Sequence, residues 1–217
     1  FRGVNSPNTQ FRGAKYNNTI IERKEEFRYL GLVFSDVHWL ALAPLRLAES
    51  AKKAMFGVLS KFEGLKVSCA KIKLTLFMTM VASIGNYGCQ VWGVNYLRLD
   101  SENHVFSNPF QNIILDFLRI ISSARQSTSR LVLLKDYGIS PCQVFWARLC
   151  ARFWNRCNGP VSPSLPKNVF LLDIGLFRKG NTHCWTFKFL QCMVKIGLIS
   201  DSLTMLKRLS LIHISEP

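Results

Sequence analysis

The chain has 217 residues, 48% of them hydrophobic, with 28 Lys and Arg against 13 Asp and Glu. This hydrophobic content excludes a disordered chain, and the length allows one large domain or two small ones. The formal charge of +15 exceeds what solubility requires and indicates a polyanionic partner, most often nucleic acid and less often an anionic membrane surface. The odd number of cysteines, seven, argues against a secreted disulfide framework, so we interpret them as reduced core residues.

The first predicted elements are two short β-type runs, residues 19–21 and 27–34, separated by charged residues and compatible with a hairpin. From Pro44 the apolar residues recur at steps of three and four, which predicts an amphipathic helix that ends near Gly64. Arg46, Lys53 and Lys61 lie off its apolar face.

A second helix is predicted from about Ser68 into residues 74–97, a stretch that contains no charged side chain. This stretch is long enough to span a bilayer, since a span needs about 20 apolar residues. However, Ser, Thr, Asn and Gln recur through it, and such amides are costly at a bilayer centre. We therefore favour a buried helix that breaks near residues 85–88.

Two more helices follow, at residues 108–122 with Pro109 at the start, and after Gly138, where Ser140 is the expected cap and Pro141 lies in the first turn. In the second of these, Arg148, Arg152 and Arg156 stand at steps of four and line one edge. Aligned guanidiniums suit contacts with a phosphate backbone, although an ordinary solvated face has the same pattern.

Residues 158–167 carry three prolines and a glycine and are predicted to be a linker, followed by a helix within residues 183–198. The chain contains no adjacent aspartates, no Gly-rich phosphate loop and no His-Glu-x-x-His. Two-metal chemistry needs converging carboxylates, which these residues do not supply. The residues alone therefore indicate a basic, mostly helical segment that binds nucleic acid and is not itself an enzyme.

Three short motifs occur in the order in which reverse transcriptases of LINE-type (non-LTR) retrotransposons carry them. The first resembles the Phe-x-Tyr-Leu-Gly signature that follows the catalytic palm, and the second resembles the Tyr-Gly-x-x-x-Trp element. The third is similar to the Leu-x-x-x-x-Gly-x-x-Pro element, with its glycine shifted by one position. The matching residues are Phe27, Tyr29, Leu30 and Gly31, then Tyr87, Gly88, Trp92 and Gly93, then Leu134, Gly138 and Pro141.

The resemblance implies a mainly α fold in which a short β-hairpin precedes a thumb-like helical bundle and further helices. Residues 1–35 would be the end of the palm with the hairpin formed by 19–34, and residues 36–100 the thumb-like region. Residues 101–157 would be a post-thumb helical connection, and 158–217 a linker and C-terminal segment. Residues 209–217 resemble translated sequencing-adapter sequence, so they are assigned no function.

The resemblance further implies a fragment of an RNA-directed DNA polymerase that holds the primer–template backbone. Its partners would be an RNA template, a DNA primer and the fingers and palm of the same polypeptide, with no membrane. The expected phosphate contacts are Arg46, Lys53, Lys61, Arg148, Arg152 and Arg156, while Tyr29, Leu30 and Gly31 would shape the hairpin near the primer end. No catalytic residue, metal ligand or cofactor is assigned to this chain, whereas the parent polymerase would use Mg²⁺. The family implies a nuclear location, and without it a cytoplasmic one is expected.

Two alternatives stay open at this point. The chain could be a basic helical module that binds an anionic membrane or a partner protein, with the uncharged stretch inserted and the helix at 141–157 in the interface. It could also be a relic of a decayed retroelement that makes no functional protein.

Overall fold

The computed structural model describes residues 15–16, 19–20, 24–35, 40–98, 101–159 and 164–197. Within these ranges the strands are β1 Lys15–Tyr16, β2 Thr19–Ile20, β3 Glu26–Tyr29 and β4 Leu32–Ser35. The helices before residue 100 are α1 Ala43–Gly64, α2 Ala70–Leu76, α3 Ala82–Gly85 and α4 Cys89–Trp92, with a π-helical turn at Phe77–Val81 and a 3₁₀ turn at Gly93–Tyr96. Those after it are α5 Glu102–Phe106, α6 Pro109–Ser122, α7 Arg130–Asp136, α8 Cys142–Asn158, α9 Ser164–Arg178 and α10 Trp185–Lys195.

The predicted fold class is confirmed, because the chain is mainly helical with short antiparallel strand pairs before the helices. The position of the hairpin was predicted wrongly. The described part of the first run, residues 19–20, does not pair with 27–34; β3 pairs with β4 inside the second run, and β2 pairs with β1, while residue 21 lies outside the described ranges. The run divides because Leu30 and Gly31 both take positive φ, 47° and 86°, and turn the chain back on itself.

The first long helix forms where the periodicity predicts it. Its apolar stripe, including Leu47, Ala51, Met55 and Phe62, is buried against α3, α6 and the π-helical turn. This stripe belongs to a core cluster that also contains Phe77, Trp92, Phe117 and Trp146 from later elements.

The uncharged stretch is a broken helix, as predicted, but only one of its faces is buried. The break falls at residues 86–88, where Gly88 takes φ +66°. Thr75, Thr79 and Ser83 lie on the exposed face and donate their hydroxyl hydrogens to carbonyls one turn earlier, at 2.7–3.0 Å. The hydroxyls thus bond within their own helix and require no polar partner on a neighbouring helix, which is compatible with their exposed position. Among the described residues, no helix combines the length and apolarity that a membrane crossing requires.

The start of α8 differs from the prediction by one residue and by its capping partner. Pro141, not Ser140, is the N-cap, and it makes no side-chain cap bond. Instead the Cys142 backbone N–H donates to the Oε1 atom of Gln111 on α6, 2.7 Å away. Because Gln111 is fully buried, this bond joins α6 to α8 through an interior amide.

The proline-rich segment is shorter than the predicted linker. Helix α8 continues to Asn158 and α9 already begins at Ser164, while residues 160–163 lie outside the described ranges. Helices α9 and α10 pack with α8 around a second cluster that includes Trp154, Phe170 and Phe189. The Asp173 carboxylate of α9 accepts hydrogen bonds from the backbone N–H groups of Trp185 and Thr186, which caps α10.

The interpretation of the cysteines as buried thiols is confirmed for six and wrong for one. Cys69 is exposed at the start of α2, whereas the other six cysteines are buried and none forms a disulfide. Burial raises the pKa of the Cys89 thiol to about 12 and also raises the pKa values of Cys142 and Cys150.

We expect thiol titration to count one cysteine in the native protein and seven after denaturation. At pH 8 the buried thiols are protonated and shielded, so a thiolate-specific reagent reacts promptly with Cys69 alone. Absorbance after addition of a colorimetric disulfide reagent, with and without guanidinium, makes the measurement. Substitution of Cys69 by serine should remove the fast phase, and a persistent fast phase would contradict the buried assignment.

Candidate nucleic-acid interface

Tyr29, Leu30 and Gly31, which were predicted to shape the hairpin near the primer end, are exposed at the tip of the β3–β4 hairpin. Tyr29 is 56% exposed and Leu30 is 70% exposed. The Phe27 and Tyr29 rings lie on one face of β3 and stack with their centroids 6.3 Å apart. A left-handed backbone costs a residue such as Leu30 about 1–2 kcal/mol relative to glycine. The turn therefore holds an exposed apolar side chain at an energetic cost that asparagine or glycine would avoid.

The first and second motifs meet in space although they are distant in the chain. A Cβ atom on Gly31 would lie 3.6 Å from the Tyr87 ring, and one on Gly88 would lie 3.3 Å from the Leu32 side chain. Trp92 fixes the intervening turn, because its Nε1–H donates to the Tyr87 carbonyl at 2.9 Å. The hairpin tip therefore rests on the turn that breaks the uncharged stretch.

Trp146 of α8 joins the region of the third motif to the second. Its ring meets Trp92 edge to face with centroids 4.9 Å apart, and its Nε1–H donates to the Oδ1 atom of Asn86 at 2.7 Å. Helix α7, which precedes α8, ends at Asp136; two residues later Gly138 takes φ +63°, and the Ile139 N–H donates to the Leu134 carbonyl. This is the Schellman arrangement, so the glycine of the third motif ends a helix and Pro141 begins the next.

The three predicted phosphate contacts on α1 are Arg46, Lys53 and Lys61, and they fall within an arc of about 80° on the helix surface. All three are exposed. They differ in their surroundings, because Arg46 lies 3.8 Å from the Glu26 carboxylate and 3.5 Å from that of Glu49. Two carboxylates beside one guanidinium leave little positive potential there, so Lys53 and Lys61 are the stronger anion contacts on this helix.

The predicted arginine edge of α8 consists of one partly buried side chain and two exposed ones. Arg152 and Arg156 are exposed. Arg148 lines a cavity of 120 Å³ together with Asn86 and Ser140, and its Nε atom is buried with no hydrogen-bond partner among the described residues. A buried guanidinium nitrogen without an acceptor is costly, so we expect it to bond to water in this cavity or to a group beyond the described side chains.

The arginine edge of α8 and the basic arc of α1 lie on helices with different neighbours. Helix α1 packs mainly on α3 and α6, whereas α8 packs on α4, α9 and the 3₁₀ turn. The hairpin is linked to α1 at its open end, through the Arg46–Glu26 pair, and its tip rests on the Tyr87 turn. The first two motifs are thus in contact, and Trp146, which follows the third motif, packs on Trp92 of the second.

Sequence reasoning missed two buried side-chain amides, those of Gln111 and Gln143. Gln143 accepts from the Arg98 N–H and donates to the His104 carbonyl, and it is 2% exposed. One signal was readable for Gln111, since it interrupts the apolar stripe that Ile114 and Leu118 continue. No local pattern marks Gln143, whose partners lie on a distant segment.

The fold and this surface define a basic, mainly helical protein with exposed cationic side chains on α1 and α8 and a hairpin that exposes two stacked aromatic rings. Comparisons with protein-family models, with curated proteins and with solved structures gave no significant match. Within the described ranges, no three His, Cys, Asp or Glu side chains are grouped so that they could hold a metal ion.

Proposed function

We propose that this chain is the thumb and post-thumb region of a LINE-type reverse transcriptase and that it holds the backbone of an RNA–DNA duplex. The observation that carries the proposal is the meeting of the motif segments. Gly31 and Tyr87 belong to separate motifs, yet the Tyr87 ring lies against the Gly31 turn, and Trp92 packs on Trp146 just after the third motif. Chance resemblances scattered along a chain have no reason to adjoin one another, so this contact supports a single functional unit.

The duplex would be held through its phosphates and through the exposed aromatic residues. Lys53, Lys61, Arg152 and Arg156 supply exposed positive charge on two helices. Such contacts position a duplex without reading its sequence. The stacked Phe27 and Tyr29 rings at the hairpin offer a surface for an unstacked terminal base. The catalytic aspartates and their Mg²⁺ would come from the palm of the parent polypeptide, and the complex would act in the nucleus.

The membrane alternative is less favourable physically. It requires the apolar face of α8 to reach lipid, but Trp146, Cys150 and Trp154 on that face are each 0–1% exposed within the cores. Insertion would first have to unpack α8 from α4 and α9. Vesicle co-sedimentation that persists at high salt would favour this alternative, because hydrophobic insertion is not screened as phosphate contact is.

The proposal predicts salt-dependent binding of an RNA–DNA hybrid irrespective of its sequence. Removal of one phosphate contact by Lys53→Gln, Lys61→Gln or Arg156→Gln should reduce the slope of log affinity against log salt by about one unit. Fluorescence anisotropy of a labelled hybrid over a salt series measures the slope. Lys195→Gln, a matched change of an exposed lysine on α10, should leave it unaltered. A salt-independent affinity of the unaltered chain would contradict the proposal.

A further inference from the structure

A third cationic surface, distinct from both predicted edges, lies in a basin of 530 Å³ between α5, α6 and the loop that precedes α7. We call it the polar basin. Its polar lining comprises Asn103, Asn112, Arg119, Gln126, Arg130 and the hydroxyl residues 127–129. Among the side chains that the structure describes, Leu115 is the one apolar residue that lines it, and no acidic residue does.

The two arginines of the polar basin are held in place by the fold. The Arg119 side chain is 13% exposed and its Nη1 atom lies 3.3 Å from Asp116 Oδ1. Its Nε atom is buried and has no hydrogen-bond partner among the described residues. The Arg130 guanidinium lies over the Phe106 ring, 5.7 Å from its centroid. Since Asp116 offsets one of these two positive charges, the described side chains around the basin retain one excess positive charge.

These groups specify the chemistry of a ligand. Guanidinium and amide nitrogens donate hydrogen bonds, and hydroxyls donate or accept them, so the basin suits a group with several acceptor oxygens and negative charge. An apolar ligand would desolvate the amides without replacing their bonds, and a cation would meet two arginines. A phosphate group has both the negative charge and the several acceptor oxygens that the basin suits, and it accepts charge-assisted hydrogen bonds.

We propose that the polar basin binds a phosphate group of the nucleic-acid strand held by this protein. The inference rests on the proposed function for the source of the phosphate, and on the lining of the basin for its chemistry. It assigns phosphate binding to Asn112, Arg119 and Arg130, which lie outside the motifs and outside both predicted basic edges. It also gives the buried Nε atom of Arg119 a candidate acceptor.

The test uses the full chain and changes one amide of the basin to a carboxylate. Asn112→Asp keeps the size of the side chain and places the acid in the first turn of α6, where the helix dipole favours it, so the fold should persist. Asn168→Asp is the matched control, an exposed position early in α9. Arg130→Gln is a second basin variant. Circular dichroism on all four proteins checks that they melt alike.

Anisotropy of a labelled RNA–DNA hybrid then gives the affinities. Loss of one charge-assisted contact should weaken binding by about fivefold to tenfold in both basin variants and leave Asn168→Asp unchanged. Equal affinity of all four proteins would overturn the basin proposal while the proposed function stands. If the unaltered chain binds no hybrid, the proposed function fails. The phosphate group bound in the basin then cannot come from a nucleic-acid strand. Titration with inorganic phosphate, followed through the Asn112 side-chain amide signals by NMR, then shows whether the basin binds free phosphate. Signals that shift with phosphate indicate such a site, and unchanged signals overturn the basin proposal.

Discussion

Substitution of Trp146 by alanine should lower the free energy of unfolding by about 4 kcal/mol, the range typical of large-to-small changes in a core. The Trp146 side chain is fully buried in the same core cluster as Trp92. Its removal leaves a cavity lined by Trp92 and Gly93, because the rigid α4 and 3₁₀ turn cannot collapse into the space. Urea unfolding followed by tryptophan fluorescence and by circular dichroism provides the measurement.

Two further variants separate the causes of this loss. Trp146→Phe keeps much of the ring area but leaves the Asn86 amide oxygen without its donor, so we expect a smaller loss of about 1–2 kcal/mol. Phe56→Ala is the exposed control, since Phe56 is 54% exposed on α1, and its effect should stay within about 0.5 kcal/mol. If Trp146→Ala and Phe56→Ala had equal effects, the role of Trp146 as the junction between motifs would be wrong.

Substitution of Gly85 by alanine should cost about 3 kcal/mol, at the upper end of the usual overpacking range. An added Cβ would lie 2.1–2.4 Å from three atoms of the Phe110 ring. Phe110 is 1% exposed within the core, so its ring has no free space to enter. Helix α3 or α6 must therefore shift, and both pack on α1.

The same substitution at Gly57 should have the opposite sign. Gly57 lies within α1, is exposed, and no atom would lie within 4 Å of its added Cβ. Alanine there should raise stability by about 0.5–1 kcal/mol, because glycine is the poorer helix former. The double change Gly85→Ala with Phe110→Leu should recover part of the lost stability. If Gly85→Ala proved as harmless as Gly57→Ala, the close approach of α3 and α6 would be incorrect.

The helices were predictable because their signals are local. The recurrence of apolar residues after Pro44 predicted α1, and Asn108 followed by Pro109 marked the start of α6, where the Asn108 side chain accepts from the Phe110 N–H. The composition of residues 74–97 was sufficient to favour a broken helix over a membrane span. Each of these inferences depends on residues within a few turns of one another.

The errors arose where a local pattern is compatible with two structures. The run at residues 27–34 is rich in aromatic and aliphatic residues, which is typical of a single strand, but Gly31 permits the left-handed turn that Leu30 then shares. Residues 164–167 were assigned to the linker because residues 158–167 contain three prolines, yet Pro166 lies in the first turn of α9, where a missing N–H costs nothing. Cys69 was expected inside, but it precedes α2, a helix with no buried residue.

The sequence by itself determined the basic charge, the amphipathic helices and the three motifs that resemble a LINE-type reverse transcriptase. Only the tertiary structure decided that the Gly31 turn rests on Tyr87, that Gln111 caps α8, and that Arg119 and Arg130 share one basin. The physical reason is that periodicity depends on the rotation between neighbouring residues along one helix. Contacts between distant segments depend instead on how side chains of particular volume pack between helices, and no repeat along the chain records that packing.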